Sequence, residues 1–417
     1  MMTSWVKDAR VYVQPTPRPG DTPLPATGPS SEIPARALPL RRTRNRPYVH
    51  RMTEQRKLLA LGDFSHSERT RIAAVGNESA FGIHFESDPR EASSYIDHHG
   101  VQALLLDGES AEGQAFAIER RAESEHATLP LLSLAQEVTD LRFVEAFSWG
   151  VDDIVSRSDA DPLRSRLRHL PKERVKLPES SRGTVLVAES DRSRRILIGR
   201  VLRNAGYTVT FAVEEKDLHS FTLELDLSVV VASTSFVTGA REFAEQLRQR
   251  NPSALLVLTC PPRELKRYMA ALDGLSGVTT TDAFAPAENV LFAANELGRP
   301  RGTDHRASAR LLYGTKTAFR GVGRDSDDHG FTYNVSTGGL YVRTLAPPDD
   351  ELVWLELCPP RGERRVRLVG KVAWRRGLSK GEYATVPPGF GVEIIDGAKM
   401  DIEAWQEGCR NLESLLK

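Results

Sequence analysis

Arg306-Ala-Ser-Ala-Arg310 and, further along, Asn334-Val-Ser-Thr-Gly-Gly339 are the two runs on which the reading of this chain turns. The first sets two guanidiniums one helical turn apart on a segment entering a domain. The second is a tight polar turn between two strand-like runs, Gly330-Phe-Thr-Tyr333 and Leu340-Tyr-Val-Arg343. Arginine's planar fork pairs bidentately with a phosphate or with the O6/N7 edge of guanine, and it stacks on base faces. Asn334 and Ser336 bring short hydrogen-bonding side chains to the turn. Gly338 and Gly339 are expected to supply positive φ and close backbone approach.

Outward from this turn the pattern is β. Runs at 311–314, 315–320, 340–344, 351–357, 365–374 and 389–394 are short and separated by Gly, Pro and Asp, which predicts a sandwich or an antiparallel β-barrel. An RxxxR followed by (D/N)xSxxG resembles the signature of the PilZ domain, a small β-barrel that binds the bacterial messenger cyclic di-GMP. Val369-Gly-Lys-Val-Ala-Trp374 and Pro388-Gly-Phe-Gly-Val-Glu393 resemble later parts of the same pattern, so the likeness spans residues 304–397. It implies a cyclic di-GMP site made of Arg306, Arg310, Asn334, Ser336 and Gly339, with an approach segment that folds over the ligand. His305 and the strand residues Arg343, Arg364, Arg365 and Arg367 are secondary candidates, and Trp374 reads as core ahead of a base-stacking platform. A final helix over 400–416 carries Ile402, Trp405, Cys409, Leu412, Leu415 and Leu416 on one stripe. It is expected to pack on the barrel or on a second subunit.

Upstream, residues 57–170 alternate apolar strands with helices, which predicts an α/β doubly wound, flavodoxin-like parallel sheet. The order resembles a response-regulator receiver domain: Gly62-Asp63 closes the first strand, Asp107 the third, Ser133 lies near the end of the fourth, and Arg157 follows the fifth. In receivers the third-strand aspartate accepts a phosphoryl group and needs Mg²⁺ held by two acids, with a lysine on strand five. Gly62 and Arg157 replace one acid and that lysine, which weakens a site for a hard cation. Asp107 is therefore a weak candidate phosphoacceptor in a degenerate receiver. After a linker at 171–183, residues 184–297 repeat the pattern, with Ala232-Ser233 where the phosphoaspartate would stand. This second receiver-like unit is expected to have lost phosphorylation and to present surfaces for self-association or a protein partner.

The remaining features bound the function. Lysine plus arginine total 56 and so do aspartate plus glutamate, a balance that argues against binding a nucleic-acid polymer. Three scattered cysteines make neither a disulfide framework nor a zinc site and fit a reducing, cytoplasmic location. No apolar run is long enough to span a membrane. Residues 1–51 are rich in Pro and Arg and read as a disordered leader. Met52, ahead of the first strand, has the look of a natural start. The 10 histidines form no HxxxH or His/Cys cluster, and no GxSxG, P-loop or Rossmann fingerprint occurs. The expectation is a non-enzymatic cyclic di-GMP effector, without cofactor or metal, whose PilZ-like domain (298–417) acts on the receiver-like units. The rival is an adaptor in which those units bind partners, switched at Asp107 or constitutive, and the β-domain binds no ligand.

Overall fold

The computed structural model describes residues 55–177, 179–299, 308–378 and 384–415; Arg306, His305 and the leader lie outside them. The first unit holds β1 (Arg56–Leu61), α1 (His66–Glu78), β2 (Phe81–Glu86), α2 (Pro89–His99), β3 (Ala103–Asp107) and α3 (Ala111–Ala122). It continues through β4 (Leu131–Ala135), α4 (Asp140–Ser148), β5 (Asp153–Ser156) and α5 (Ala160–His169). Its strands form one parallel sheet in the order β2-β1-β3-β4-β5, the flavodoxin-like arrangement. β3 and β4 are buried along their whole length, because helices cover both faces of a parallel sheet and the strands must be continuously apolar.

The second unit repeats the design with β6 (Thr184–Ala188), α6 (Arg192–Asn204), β7 (Thr208–Ala212), α7 (Glu215–Glu224) and β8 (Val229–Ser233). It is completed by α8 (Ala240–Arg250), β9 (Leu255–Cys260), α9 (Leu265–Leu272), β10 (Val278–Asp282) and α10 (Glu288–Leu297). The sheet order β10-β9-β8-β6-β7 is the same topology read from the other edge.

The third unit comprises β11 (Leu311–Leu312), β12 (Lys316–Gly321), β13 (Asp328–Ser336), β14 (Gly339–Arg343), β15 (Leu352–Leu357), β16 (Val366–Arg376), β17 (Gly389–Gly397) and α11 (Lys399–Ser414). Six strands close antiparallel in the ring β13-β12-β15-β16-β17-β14-β13, and β11 adds a short pairing to β13. Inward side chains such as Phe319, Val335, Leu340, Val342 and Phe390 fill the barrel. Of the two placements open to the last helix, it takes the one on the barrel: Trp405, Cys409 and Leu412 belong to the barrel core. The Trp405 indole donates to the Ser336 carbonyl at 3.1 Å.

A buried polar junction joins the three units. Asp152 accepts from Arg121 of its own unit and from Arg200 of the second, each at 2.7 Å. Burial alone would raise its pKa, but the two guanidiniums outweigh that and hold it well below the usual carboxylate range. The adjacent Asp153 accepts from Arg166 at 3.0 Å, from the Leu345 amide at 2.8 Å and from the Thr344 hydroxyl at 3.0 Å, the last two on the barrel. Arg166 also pairs with Asp328 of β13. Phe331 of β13 packs against Phe143 and Phe147, with centroids 5.1 and 5.7 Å away. On the other side, the Tyr333 hydroxyl donates to the Glu288 carbonyl at the start of α10, 2.7 Å away.

Candidate functional site

β13 and β14 pair so that Ser336 faces Gly339, which leaves only Thr337 and Gly338 in the turn. Asn334 and Ser336 are thus strand residues, a correction to the longer turn expected from the sequence. Val335 points into the barrel core, so its neighbours Asn334 and Ser336 face outward by the two-residue period of a strand. The Ser336 hydroxyl donates to the Gly339 carbonyl at 3.2 Å. Neither Gly338 nor Gly339 has positive φ, contrary to expectation. Gly339 is needed for close approach instead, since a Cβ there would overlap the Val392 carbonyl of β17. A Cβ on Gly338 would meet open space.

Trp374 is not core. The β16–β17 register passes from Val372 opposite Val392 to Trp374 opposite Gly391, so Ala373 is an extra residue. Without that bulge, Trp374 would share Val372's inward face. With it, the indole lies outside the barrel, 36% exposed. It stacks on Tyr341 with centroids 4.8 Å apart and planes 26° from parallel. Gly391 makes room, because a Cβ there would collide with the indole nitrogen. Tyr341 is fixed in turn by donating its hydroxyl to the Pro387 carbonyl at 2.6 Å.

Together these residues line one open cleft of about 210 Å³ on the outer barrel wall. Arg310, Asn334, Ser336 and Gly339 all border it, beside Tyr341, Trp374, Gly391 and Glu393. Four of the five residues singled out in the sequence therefore converge; the fifth, Arg306, lies outside the described residues. Trp374's place as a wall matches the second of its two sequence readings, and Glu393's place at the rim was not foreseen. The cleft offers a guanidinium for phosphate or for the O6/N7 edge of guanine, and an indole face for stacking. Glu393 adds a carboxylate able to accept from guanine's N1–H and N2–H₂ edge.

The secondary arginines lie elsewhere. Arg343 is 4% exposed at the junction, donating to the Val151 carbonyl at 3.0 Å, pairing with Glu288 at 3.1 Å and covering the Phe147 ring. Arg364 pairs with Asp401, while Arg365 and Arg367 pair with Glu356. None of the four lines the cleft.

Asp107 sits at the carboxyl end of β3, 8% exposed. Its carboxylate pairs with Arg157, which also binds Glu68 at 2.9 Å. Opposite stands Gly62, where a Cβ would overlap that of Asp107, so a second carboxylate has no room in this arrangement. In the second unit Glu189 accepts from the Asp191 amide, and Asp191 caps α6 through the Arg194 amide at 2.7 Å. Among the described residues one acidic cluster has metal-ligand spacing, Glu123, Glu125 and His126. There Arg120 and His126 already pair with Glu123.

No family model and no curated protein sequence matches the chain. Solved structures match it in part. The chemotaxis response regulator CheY4 of Vibrio cholerae is 19% identical over 27% of this chain and 99% of its own, with a TM-score of 0.25. A putative two-component response regulator/GGDEF domain protein is 17% identical over 58% of this chain and 100% of its own, with a TM-score of 0.27. The Bacillus subtilis inhibitor of motility is 17% identical over 28% of this chain and 57% of its own, with a TM-score of 0.23. The strand orders of the two parallel sheets are flavodoxin-like, and the chain combines them with a closed antiparallel barrel. Among the described residues, no helix is long and apolar enough to cross a membrane.

Proposed function

We propose that this chain is a non-enzymatic effector that binds cyclic di-GMP in the barrel cleft and passes the event to the receiver-like units. The observation that carries this reading is the convergence of Arg310, Asn334, Ser336 and Gly339, drawn from two separate runs, on a cleft walled by Trp374. Arg310, with Arg306 from the approach segment, pairs with phosphate and guanine edges; Trp374 stacks a base; Asn334 and Ser336 fix the orientation. Among the described residues the cleft lining includes no histidine or cysteine and a single carboxylate, Glu393, which fits recognition better than hydrolysis. No cofactor is required.

Coupling would run along β14, which starts at the cleft with Gly339 and ends at Arg343, two residues before Leu345 meets Asp153. Ligand shifts the arrangement only to the extent that it binds one arrangement better than another.

Calorimetric titration of cyclic di-GMP into the whole chain, with GMP as control, tests the site. Saturable binding is expected, weakened roughly tenfold or more in Arg310→Ala, since hydrogen bonds to charged groups contribute about 1.5–3 kcal/mol. Trp374→Ala should cost about 1–3 kcal/mol of base stacking. No saturable heat in the native chain would sink the proposal. It would favour the constitutive adaptor, for which the buried junction is the supporting observation.

A further inference from the structure

The cleft on the barrel wall carries a carboxylate that the capture of an anion does not need. Glu393 borders it and is exposed. Its neighbour Val392 belongs to the barrel core, so Glu393 faces outward with Gly391, on the side that holds the Trp374 indole. Lys371 stands directly opposite Glu393 on β16, yet its ammonium pairs with Glu351 at 3.2 Å. Among the described residues, none pairs with the Glu393 carboxylate. A bare carboxylate repels a nearby phosphate. In a site for an anionic ligand it therefore calls for a compensating donor on that ligand.

The strand register sets what this carboxylate can reach. Gly339 of β14 lies between Ser336 of β13 and Glu393 of β17 in one row across the sheet. Ser336 and Glu393 thus stand about 10 Å apart, two strand spacings, across a residue with no side chain. In the next row Gly391 pairs with Trp374, whose indole covers it. Glu393 is two residues further along β17, about 7 Å away. A flat base stacked on the indole turns one edge to the carboxylate. Of the common bases, guanine alone presents two adjacent donors on its Watson–Crick edge, N1–H and N2–H₂, which match the two oxygens of a carboxylate. Adenine sets an N1 acceptor beside its N6 donor and brings a lone pair against a lone pair.

We infer that Glu393 selects guanine in the cleft by reading its Watson–Crick edge, while the arginines take phosphate and the O6/N7 edge. This rests on the proposed binding of cyclic di-GMP and adds the group that decides which cyclic dinucleotide is accepted. The carboxylate is exposed and water competes for it, so each donor lost from the ligand costs about tenfold in affinity.

Calorimetric titration of the full chain with cyclic di-GMP and with cyclic di-IMP tests the assignment. Inosine keeps O6, N7 and N1–H but lacks the 2-amino group. An arginine on the O6/N7 edge cannot tell the two ligands apart, whereas a carboxylate on N1–H and N2–H₂ can. The native chain is expected to bind cyclic di-IMP about tenfold more weakly than cyclic di-GMP. Glu393→Gln should weaken cyclic di-GMP about tenfold and bring the two affinities together, because an amide offers one acceptor in place of two. Its melting temperature should stay near that of the native chain, since the side chain is exposed and has no partner among the described residues. Equal native affinities for the two ligands, or a ratio unchanged in Glu393→Gln, would overturn the inference and leave cyclic di-GMP binding in place. No saturable heat from cyclic di-GMP in the native chain would overturn both.

Discussion

Gly391 and Trp374 are tied together by a single missing carbon. The indole occupies the space that a Cβ at 391 would take, and both residues depend on the bulge at Ala373. Gly391→Ala should therefore push the indole off Tyr341 and destabilise the barrel by about 1–3 kcal/mol, the usual cost of overpacking. Tryptophan fluorescence of the variant, read beside its denaturation midpoint, checks both effects. An unchanged spectrum and midpoint would mean that the indole is not seated as described. At Asp107 the same resolution of detail matters: the exclusion of a second acid comes from the backbone at Gly62, and Arg157 lies on the carboxylate.

At the scale of elements, α11 is the part of the barrel that reaches the candidate cleft from behind. Trp405 is fully buried and donates to the carbonyl of Ser336, and the Cys409 thiol contacts the same carbonyl at 3.5 Å. Burial pushes that thiol up to about 12, so it stays protonated and inert. Trp405→Ala should cost about 3–5 kcal/mol by chemical denaturation, as for other buried aromatic truncations, and should weaken ligand binding at the cleft by loosening the β13–β14 hairpin. A stability loss with unchanged ligand affinity would separate the helix from the site. Much of this level was legible in the sequence. The parallel strands announce themselves as apolar runs because both their faces are covered, as in Val101–Leu106 and Val185–Ala188. Helices α3, α7, α8 and α9 have no counterpart in the reading of the sequence: α3 and α7 carry only a faint apolar stripe, and α9 is 8 residues long. The bulge that turns Trp374 outward has no sequence signal of its own, since alternation alone assigns it to the core.

Across the whole molecule, Asp152 and Asp153 set the behaviour. Their partners lie 48 and 191 residues away, beyond any local pattern. A pair of acids at the start of a short apolar strand was the available hint. Asp152 has a folded pKa depressed below its unfolded value of about 3.9. Its stabilisation is present above that unfolded value and is lost as pH falls through the depressed folded one. Burial raises the pKa of Asp153, so its contribution has the opposite sign, and the acid loss belongs to Asp152. Denaturant midpoints should thus drop as the pH is lowered from about 4 toward 2. Asp152→Asn should flatten that drop and cost about 3–5 kcal/mol at neutral pH, because it leaves two buried guanidiniums without their counterion. A flat native profile would remove Asp152 from this role.

These two neighbouring aspartates face different ways, one committed to the second unit and the other to the barrel. Shuffling by domains is consequently closed to this chain. A first unit transplanted from elsewhere would have to arrive with matched acids for both neighbours at adjacent positions, and an exchanged second unit or barrel would leave one of them stranded. Heredity should treat the three folds as a single cassette, with substitutions at 152 and 153 answered by changes in units far along the gene.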